Sequence, residues 1–551
     1  MRKRLAVWLI VLLSVLAIVS CSSRHVEQKP DTTRPTIVSA SPANGATTVA
    51  VTTAVTITFS ESMNPLTIND TSFLLVSVSS TTTTPVPGNV TYDASSNIAT
   101  FTTTSALRHG TQYIATITTG VTDAAGNAIN PTYSWSFVTI PAPGALDTSF
   151  GTGGRVKVAR SGNDIAYAAA IQQDGKIITA GTSTTITGTM FFTIARFQPG
   201  GALDTTFGFT QNGWSDNIVG TARAVELQPD GKIVAAGDTG ALPLSNSDFL
   251  IARYNTNGTF DTTFGLQSNG TVTMDMGYDH DVVHSLAIQA DGKIIVAGDG
   301  INSGSSNYVS IIARFNADGT LDTSFAGGGR RTDTIGTTSQ AWVVKMQPDG
   351  MIVVGGKFQD GSGAASFYLA RYESNGDPDI SFNAGMVTAS PGVDPGLTDI
   401  AILPNGKIIV AGTTNGSTNA DLFLMRYNAD GTLDTTFGST GTVITDDIMH
   451  GRETAAGLAV QTDGKIVVSA TFQPSTGTIL TNDFALFRYD ADGALDTTFG
   501  GNGYGMVTTD FGIANNDFAY NVQIQQDGKI VVVGKASNGS NYDLGLARYW
   551  P

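Results

Sequence analysis

Histidine is scarce in this chain, five residues in 551, and two of the five stand four apart in MGYDHDVVH, residues 276–284. That stretch brings Asp279, His280, Asp281 and His284 together. A second concentration, DDIMHGRET at 446–454, carries Asp446, Asp447, His450, Arg452 and Glu453. Imidazoles beside carboxylates can hold a metal, pass a proton or hydrogen-bond a polar ligand. Four-residue spacing converges two imidazoles on zinc when they share a helix face, but both stretches lead into strands, where that spacing brings nothing together. No metal site and no cofactor is expected. Glycosidic cleavage needs two carboxyl groups about 5 to 10 Å apart, and acidic loop residues are more often simply solvated. The chain has no G-x-S-x-G elbow, P-loop, H-E-x-x-H or Ser-x-Asp-x-Gly-x-Thr-Trp box. These nine residues are therefore candidates for ligand binding, and no catalytic residue is assigned.

What positions them is a repeat. Q-x-D-G-K-I recurs seven times, at Gln172, Gln228, Gln289, Gln347, Leu403, Gln461 and Gln525, with Met351 replacing lysine in the fourth copy and Asn405 replacing aspartate in the fifth. An arginine in A-R-Y or a variant follows at 196, 253, 314, 371, 426, 488 and 548, and L-D-T-T-F-G or a variant places aspartate at 147, 204, 261, 322, 379, 434 and 496. The region opens on an LDTSFG without its preceding blocks and ends on LARYWP without a following one, so one repeat is split between its ends. That is the signature of a closed β-propeller of seven four-stranded blades, with a strand around Arg155–Ala159 completing the last blade. QPDG and NADG suit a type I turn followed by a left-handed glycine. Successive strands reverse, so these stereotyped turns share one face of the disc. The variable loops, including both candidate stretches, share the other, the natural place for recognition. His280 and His450 then belong to blades nearly opposite and could meet only at the axis. Calcium needs oxygen ligands at fixed positions, and the positions of Asn428 and Asp430 in NADGTLDTTFG vary among copies. The stretch reads as turn geometry, with Asp434 bracing the next turn. The seven arginines read as a structural need of every blade rather than an anion channel.

These blocks resemble the bacterial delta-60 repeat, over essentially residues 144–551. The resemblance implies a propeller-like domain of large secreted or surface proteins with no generally established enzymatic activity. The departures around Asp379 and Asn405 imply blades that keep the turn but pack it differently.

Ahead of the repeats, residues 34–140 alternate as short strands: Val55, Ile57 and Phe59; Tyr113, Ala115 and Ile117; Tyr133, Trp135 and Phe137. About seven such strands predict a β-sandwich. PTIVSASPANGATTVAV, TFSESMNP and YSWSFVT resemble the SbsA-type bacterial Ig-like domain, which implies a stalk or spacer. Asp123 and Asn127 read as a turn, not a cation site. The first twenty residues pair a basic MRKR with an apolar run, Leu5–Val19, too short to span a bilayer, so they read as a signal peptide. The run ends in IVSC, resembling a lipobox, which implies a lipid anchor on Cys21, the only cysteine; Ser22 implies outer-membrane sorting. Residues 21–33 read as a tether. The expectation for the whole is an all-β envelope lipoprotein, outward-facing or periplasmic. Its Ig-like spacer presents a seven-bladed propeller that binds a glycan, a cell-wall component or a protein. The rivals are a propeller hydrolase or polysaccharide lyase and a purely structural surface protein. The net charge of −16 repels phosphate backbones and argues against nucleic acid.

Overall fold

A computed structural model describes residues 29–551 apart from 80–81, 161, 241–245, 303, 306, 416–419, 447–450, 476–480 and 513–515. The chain divides after Pro141 into two compact units. Apart from short 3₁₀ turns, every described element is a strand, and no helix among the described residues is long and apolar enough to cross a membrane.

The first unit packs a four-stranded sheet on a five-stranded one. The alternation of its strands is what fills the space between them: Val55, Ile57, Phe59, Tyr113, Ala115, Ile117, Trp135 and Phe137 are all buried. Asp123 accepts from the backbone N–H groups of Ala125 and Asn127 and from the Asn127 side chain, so its carboxylate closes a turn.

The second unit is seven four-stranded antiparallel sheets in sequence order. Their innermost strands are Asp164–Ile171, Thr221–Leu227, His280–Ile288, Thr338–Met346, Gly396–Ile402, Gly451–Val460 and Asp517–Ile524. The seventh blade takes its outer strand from the beginning of the region: Arg155–Val158 pairs with Tyr542–Tyr549, Arg155 opposite Ala547. The innermost strand of blade one packs against blade seven, which closes the circle.

One contact set joins each blade to the next. Within a blade, the arginine Nε donates to the LDTTF aspartate, 2.8 Å for Arg196–Asp204 and 2.7 Å for Arg426–Asp434, while its guanidinium lies over the phenylalanine three residues beyond that aspartate, 4.5–4.8 Å from the ring in all seven copies. The other aspartate oxygen accepts from the backbone and hydroxyl two residues on, as Asp434 does from Thr436. The N–H after the phenylalanine then donates across the junction to a turn carbonyl. Gly151, Gly208, Gly265, Ala326, Asn383, Gly438 and Gly500 bond Gly200, Asn257, Asp318, Asn375, Asp430, Asp492 and Pro143 at 2.8–3.0 Å, and the last of these completes the ring. Gly376 shows why that turn keeps glycine: φ is +89°, and a Cβ there would stand 2.7 Å from the Phe325 ring.

The fourth and fifth copies correct an expectation. They pack as the others do: Arg371 Nε reaches Asp379 at 2.7 Å and lies 4.8 Å over Phe382, and Asn405 caps Lys407 as aspartate does elsewhere. What differs is Met351, which leaves Asp379 without the lysine that Asp434 receives from Lys407 at 2.6 Å. Ser381 in place of threonine keeps the clasp's hydroxyl and N–H donors, and the changes beside it, Pro378 for leucine and Ile380 for threonine, remove none of them.

Two outcomes follow from the clasp. Removing one partner of a buried ion pair strands the other, at about 3 kcal/mol or more. Asp434→Asn should lower the stability measured by denaturant unfolding at pH 7 by about that amount, while Asp430→Asn, in the exposed turn beside it, should cost no more than about 1 kcal/mol; equal midpoints would refute the assignment. The second outcome is acid lability. Burial opposes ionisation of Asp434, but hydrogen bonds from Lys407, Thr436 and Arg426 outweigh it and hold the carboxyl well below its ordinary range, and Asp261, Asp322 and Asp496 are lowered in the same way. A depressed folded pKa means the unfolded chain binds more protons near pH 4. The stabilisation is complete above that pH and is lost as pH falls toward the folded values. The melting temperature should hold from pH 7 to about 5 and fall steeply below about 4; a flat profile to pH 2 would refute it.

Candidate functional site

Every innermost strand carries one β-bulge at the same place. Its ladder to the second strand skips one residue: Tyr167, Arg223, His284, Trp342, Thr398, Ala456 and Tyr520. Each lies five residues before the first residue of the Q-x-D-G block, and each is half-buried. A bulge re-aims a side chain without breaking the sheet, and here it does so once per blade, at one level of the seven innermost strands that surround the axis, an axial ring of positions. Contacts between blades follow: Tyr167 and Tyr520 stack tilted at 5.2 Å, and the Arg223 guanidinium sits 6.0 Å from the Tyr167 ring.

A second ring braces the first. The strand-two residue just after the conserved Gly or Ala is Thr182, Asp238, Asp299, Lys357, Thr413, Thr471 or Lys535. Asp238 accepts from Arg223 Nε at 2.8 Å, and Asp299 meets His284 Nε2 at 2.6 Å and accepts from Gln340 Nε2 at 3.1 Å. Lys535 lies among the rings of Tyr542, Phe518 and Tyr520, at 4.3, 4.6 and 5.7 Å, and burial lowers its pKa. Burial raises the Tyr520 and Tyr167 hydroxyls above their ordinary range, so both stay protonated donors at neutral pH. Gln340 leads from this ring into a cavity of about 240 Å³ lined by Trp342, Tyr308, Lys357 and Phe358. Deeper along the axis, Glu226 and Lys345 line a cavity of about 390 Å³, with Lys345 Nζ 3.6 Å from Asp399. Two larger grooves, about 840 and 770 Å³, lie elsewhere. The first follows the outer strand of blade seven. The second holds clasp residues that every junction repeats, so it singles out no site.

The residues expected to bind do not converge as a group. His284 reaches the axial ring. His280 lies in the same strand, not ahead of it, and its ring nitrogen approaches Ser247 of blade two at 3.5 Å, away from His284. Asp281 is fully buried and accepts from the Met276 N–H at 2.7 Å. Asp279 offers its carbonyl to Asn246. In the other stretch, Arg452 and Glu453 belong to the innermost strand, with Arg452 exposed and Glu453 fully buried, while Asp446 is exposed beyond the outer strand of blade five. Asp447, His450 and Cys21 lie outside the described residues. Both stretches were expected to be loops, and the difference has one cause. In blades three and six the innermost strand begins four and five residues ahead of the bulge, at His280 and Gly451, and the residue eight before the Q-x-D-G block is buried as Asp164, Asp281, Ser339, Glu453 or Asp517. Asp164, Asp281 and Asp517 use that position to hold the N–H of the loop before them.

Tyr167, Arg223, Trp342 and Tyr520 were not foreseen, yet a signal exists. With the repeats aligned on Q-x-D-G, the first, third and sixth columns before the block hold only apolar residues, and the fifth between them reads Tyr, Arg, His, Trp, Thr, Ala, Tyr.

The bacterial Ig-like domain family matches residues 31–139. The family described as a domain of unknown function (DUF5122) beta-propeller matches seven segments, 172–207, 228–264, 289–325, 347–382, 403–437, 461–499 and 525–551, each starting at the Q-x-D-G block or its equivalent. No curated relative matches the sequence. Similar solved structures include a Dyadobacter fermentans protein of unknown function, 11% identical over 72% of this chain and 99% of that one with a TM-score of 0.37. Sqt1 from Chaetomium thermophilum is 12% identical over 72% and 100%, TM-score 0.38. A PL25 ulvan lyase is 13% identical over 70% and 91%, TM-score 0.39. At these values none of the three bears on what this chain does.

Proposed function

This chain belongs to the DUF5122 β-propeller family, with a bacterial Ig-like domain ahead of the propeller, and on that footing we propose that the propeller binds a glycan at the axial ring of its variable face. One observation carries the reading: seven structurally equivalent bulge positions hold side chains of six types, only tyrosine occurring twice, whereas the positions that join the blades are repeated. A structural need shared by all blades is met by one residue type. An asymmetric ring is what an asymmetric ligand requires. Tyr167, Tyr520 and Trp342 offer flat apolar faces for the C–H faces of sugar rings, and the two tyrosine hydroxyls are donors. Arg223 with Asp238 and His284 with Asp299 form hydrogen-bonded pairs suited to hydroxyl groups.

The hydrogen-bonded His284–Asp299 pair favours a second reading, cleavage of the same glycan, because a carboxylate that fixes an imidazole prepares it to take a proton. One experiment separates the two. Binding and product release are measured over a panel of soluble polysaccharides for the parent protein and for Trp342→Ala, Tyr520→Ala and His284→Asn, with melting temperatures recorded alongside. The expected result is binding that weakens at least tenfold in the first two variants while the fold survives. Turnover that vanishes in His284→Asn would establish the second reading. Binding unaffected by all three substitutions, or none across the panel, would overturn the site.

We further infer that Cys21 carries a lipid that holds the protein to a bacterial envelope membrane, with the Ig-like domain as spacer. The IVSC motif and the preceding apolar run support this reading. Cys21→Ala should move the protein from the detergent-extracted membrane fraction to the soluble fraction; unchanged membrane retention would defeat it.

A further inference from the structure

The junction between blades two and three gathers charge that neither the clasp nor the axial ring uses. Carboxylate oxygens of Asp248, at the start of the third strand of blade two, Asp275, just past its outer strand, and Asp281, in the innermost strand of blade three, lie within 4.8 Å of one another. Three like charges so close repel one another, and no lysine or arginine forms an ion pair with any of them among the described residues. Acidic clusters are common on surfaces and by themselves mean little. Here a second observation points to a ligand. Asp281 is 0% exposed, one of its oxygens takes the Met276 N–H, and the other, Oδ1, has no hydrogen-bond partner. A fully buried carboxylate oxygen left without a donor is costly, and native structures leave few of them.

We propose that Asp248, Asp275 and Asp281 bind a divalent cation, calcium by its chemistry, at the junction of blades two and three. An all-oxygen set of three carboxylates selects a hard cation over zinc or copper. Oxygens about 2.4 Å from a common ion stand no more than about 4.8 Å apart, and the three here lie within 4.8 Å of one another. Three carboxylates leave room in a shell of six to eight for water. The cation cancels the mutual repulsion and supplies the partner that Asp281 Oδ1 lacks. It also fixes the start of the strand that carries His284, three residues beyond Asp281.

The same three positions are filled again at the junction of blades six and seven, by Asp483, Asp510 and Asp517, whose oxygens also lie within 4.8 Å of one another. The buried member differs. Asp517 accepts from the Phe511 N–H at 2.8 Å and the Ser537 N–H at 2.9 Å, so both of its oxygens have donors. At the first junction Gly300 stands opposite Asp281 in the ladder, and no N–H reaches Oδ1. Asp483 Oδ1 is also without a partner, but Asp483 is only half-buried where Asp281 is fully buried, so the assignment is to the first junction.

The test uses the full chain freed of metal by chelation. Bound calcium is counted by equilibrium dialysis and elemental analysis at 1 mM free calcium, and the melting temperature is taken with and without calcium. Asp248 and Asp275 are not buried, so Asp248→Asn/Asp275→Asn keeps the core intact. Without calcium that variant should melt no lower than the parent, because one source of repulsion is gone. With calcium the parent should gain several degrees and bind one more ion per chain than the variant. Equal stoichiometry in the two proteins, or no bound calcium in the parent, would overturn the assignment. Counting the difference keeps any ion held at blades six and seven, or in the Ig-like domain, out of the comparison.

Discussion

The clasp of arginine, aspartate and phenylalanine is the interaction on which the propeller rests. A blade is a small sheet with two apolar faces and cannot bury both alone. Apolar packing between blades is strong but non-directional, so it does not by itself fix the angle at which one sheet meets the next. The clasp supplies direction. Arginine is held by its own blade's aspartate and lies over its own blade's phenylalanine. In blade one, for example, Arg196 Nη1 also donates to the Thr256 carbonyl in the turn of blade two. The guanidinium fork can meet carboxylate, ring face and carbonyl at once, which an ammonium cannot. With a ring contact and a hydrogen bond each contributing about 1 kcal/mol, the geometry repeats with little variation around seven junctions.

Concentrating constraint on one face is what leaves the other free to vary. The stereotyped turns all lie where the clasps are, and among the described residues the loops joining second to third strands carry none of the clasp contacts. Closure works similarly. The last blade is one strand short, and Arg155–Val158, from the start of the region, fills the gap, so the two ends of the region meet inside one four-stranded sheet. Arg548 then makes with Asp147 and Phe150 the same clasp that Arg196 makes within an unbroken stretch, across 401 residues of sequence. With no cysteine in the propeller, this pairing is the latch.

How much of this could be read beforehand depends on what each feature repeats. Blade number, the split repeat, the turn glycines and the structural arginines were legible because seven copies average away local variation; Asp434 is plainly a brace once its six counterparts stand beside it. The Ig-like core was legible for a different reason, strict alternation in Val55–Phe59 and Tyr113–Ile117. The site was legible only in His284. Chemistry-bearing residues such as His280 and Glu453 drew attention because they cluster in sequence, but neighbours on a strand point to opposite faces, and sequence clustering there is evidence against convergence. The bulge that gathers Tyr167, Arg223 and Tyr520 adds one residue to the strand without a composition signal. Such a register change is invisible to a reading based on period two.

That failure carries a general argument about repeat propellers. Columns that agree among the copies report the needs of the blade, and columns that differ report freedom, but freedom takes two forms. On the loops it is unconstrained, since length and composition both drift. At the bulge it is confined, because the strand position, the bulge and the half-burial are the same in all seven copies and only the side chain changes. A constraint on geometry released only at the level of chemistry is what a recognition surface needs: fixed vectors with exchangeable groups. Here the seven vectors come from the backbone and the identity from Tyr, Arg, His, Trp, Thr, Ala and Tyr. A protein with this fold can therefore change what it binds without changing how it folds, because no clasp residue contributes to the ring and no ring residue contributes to a clasp.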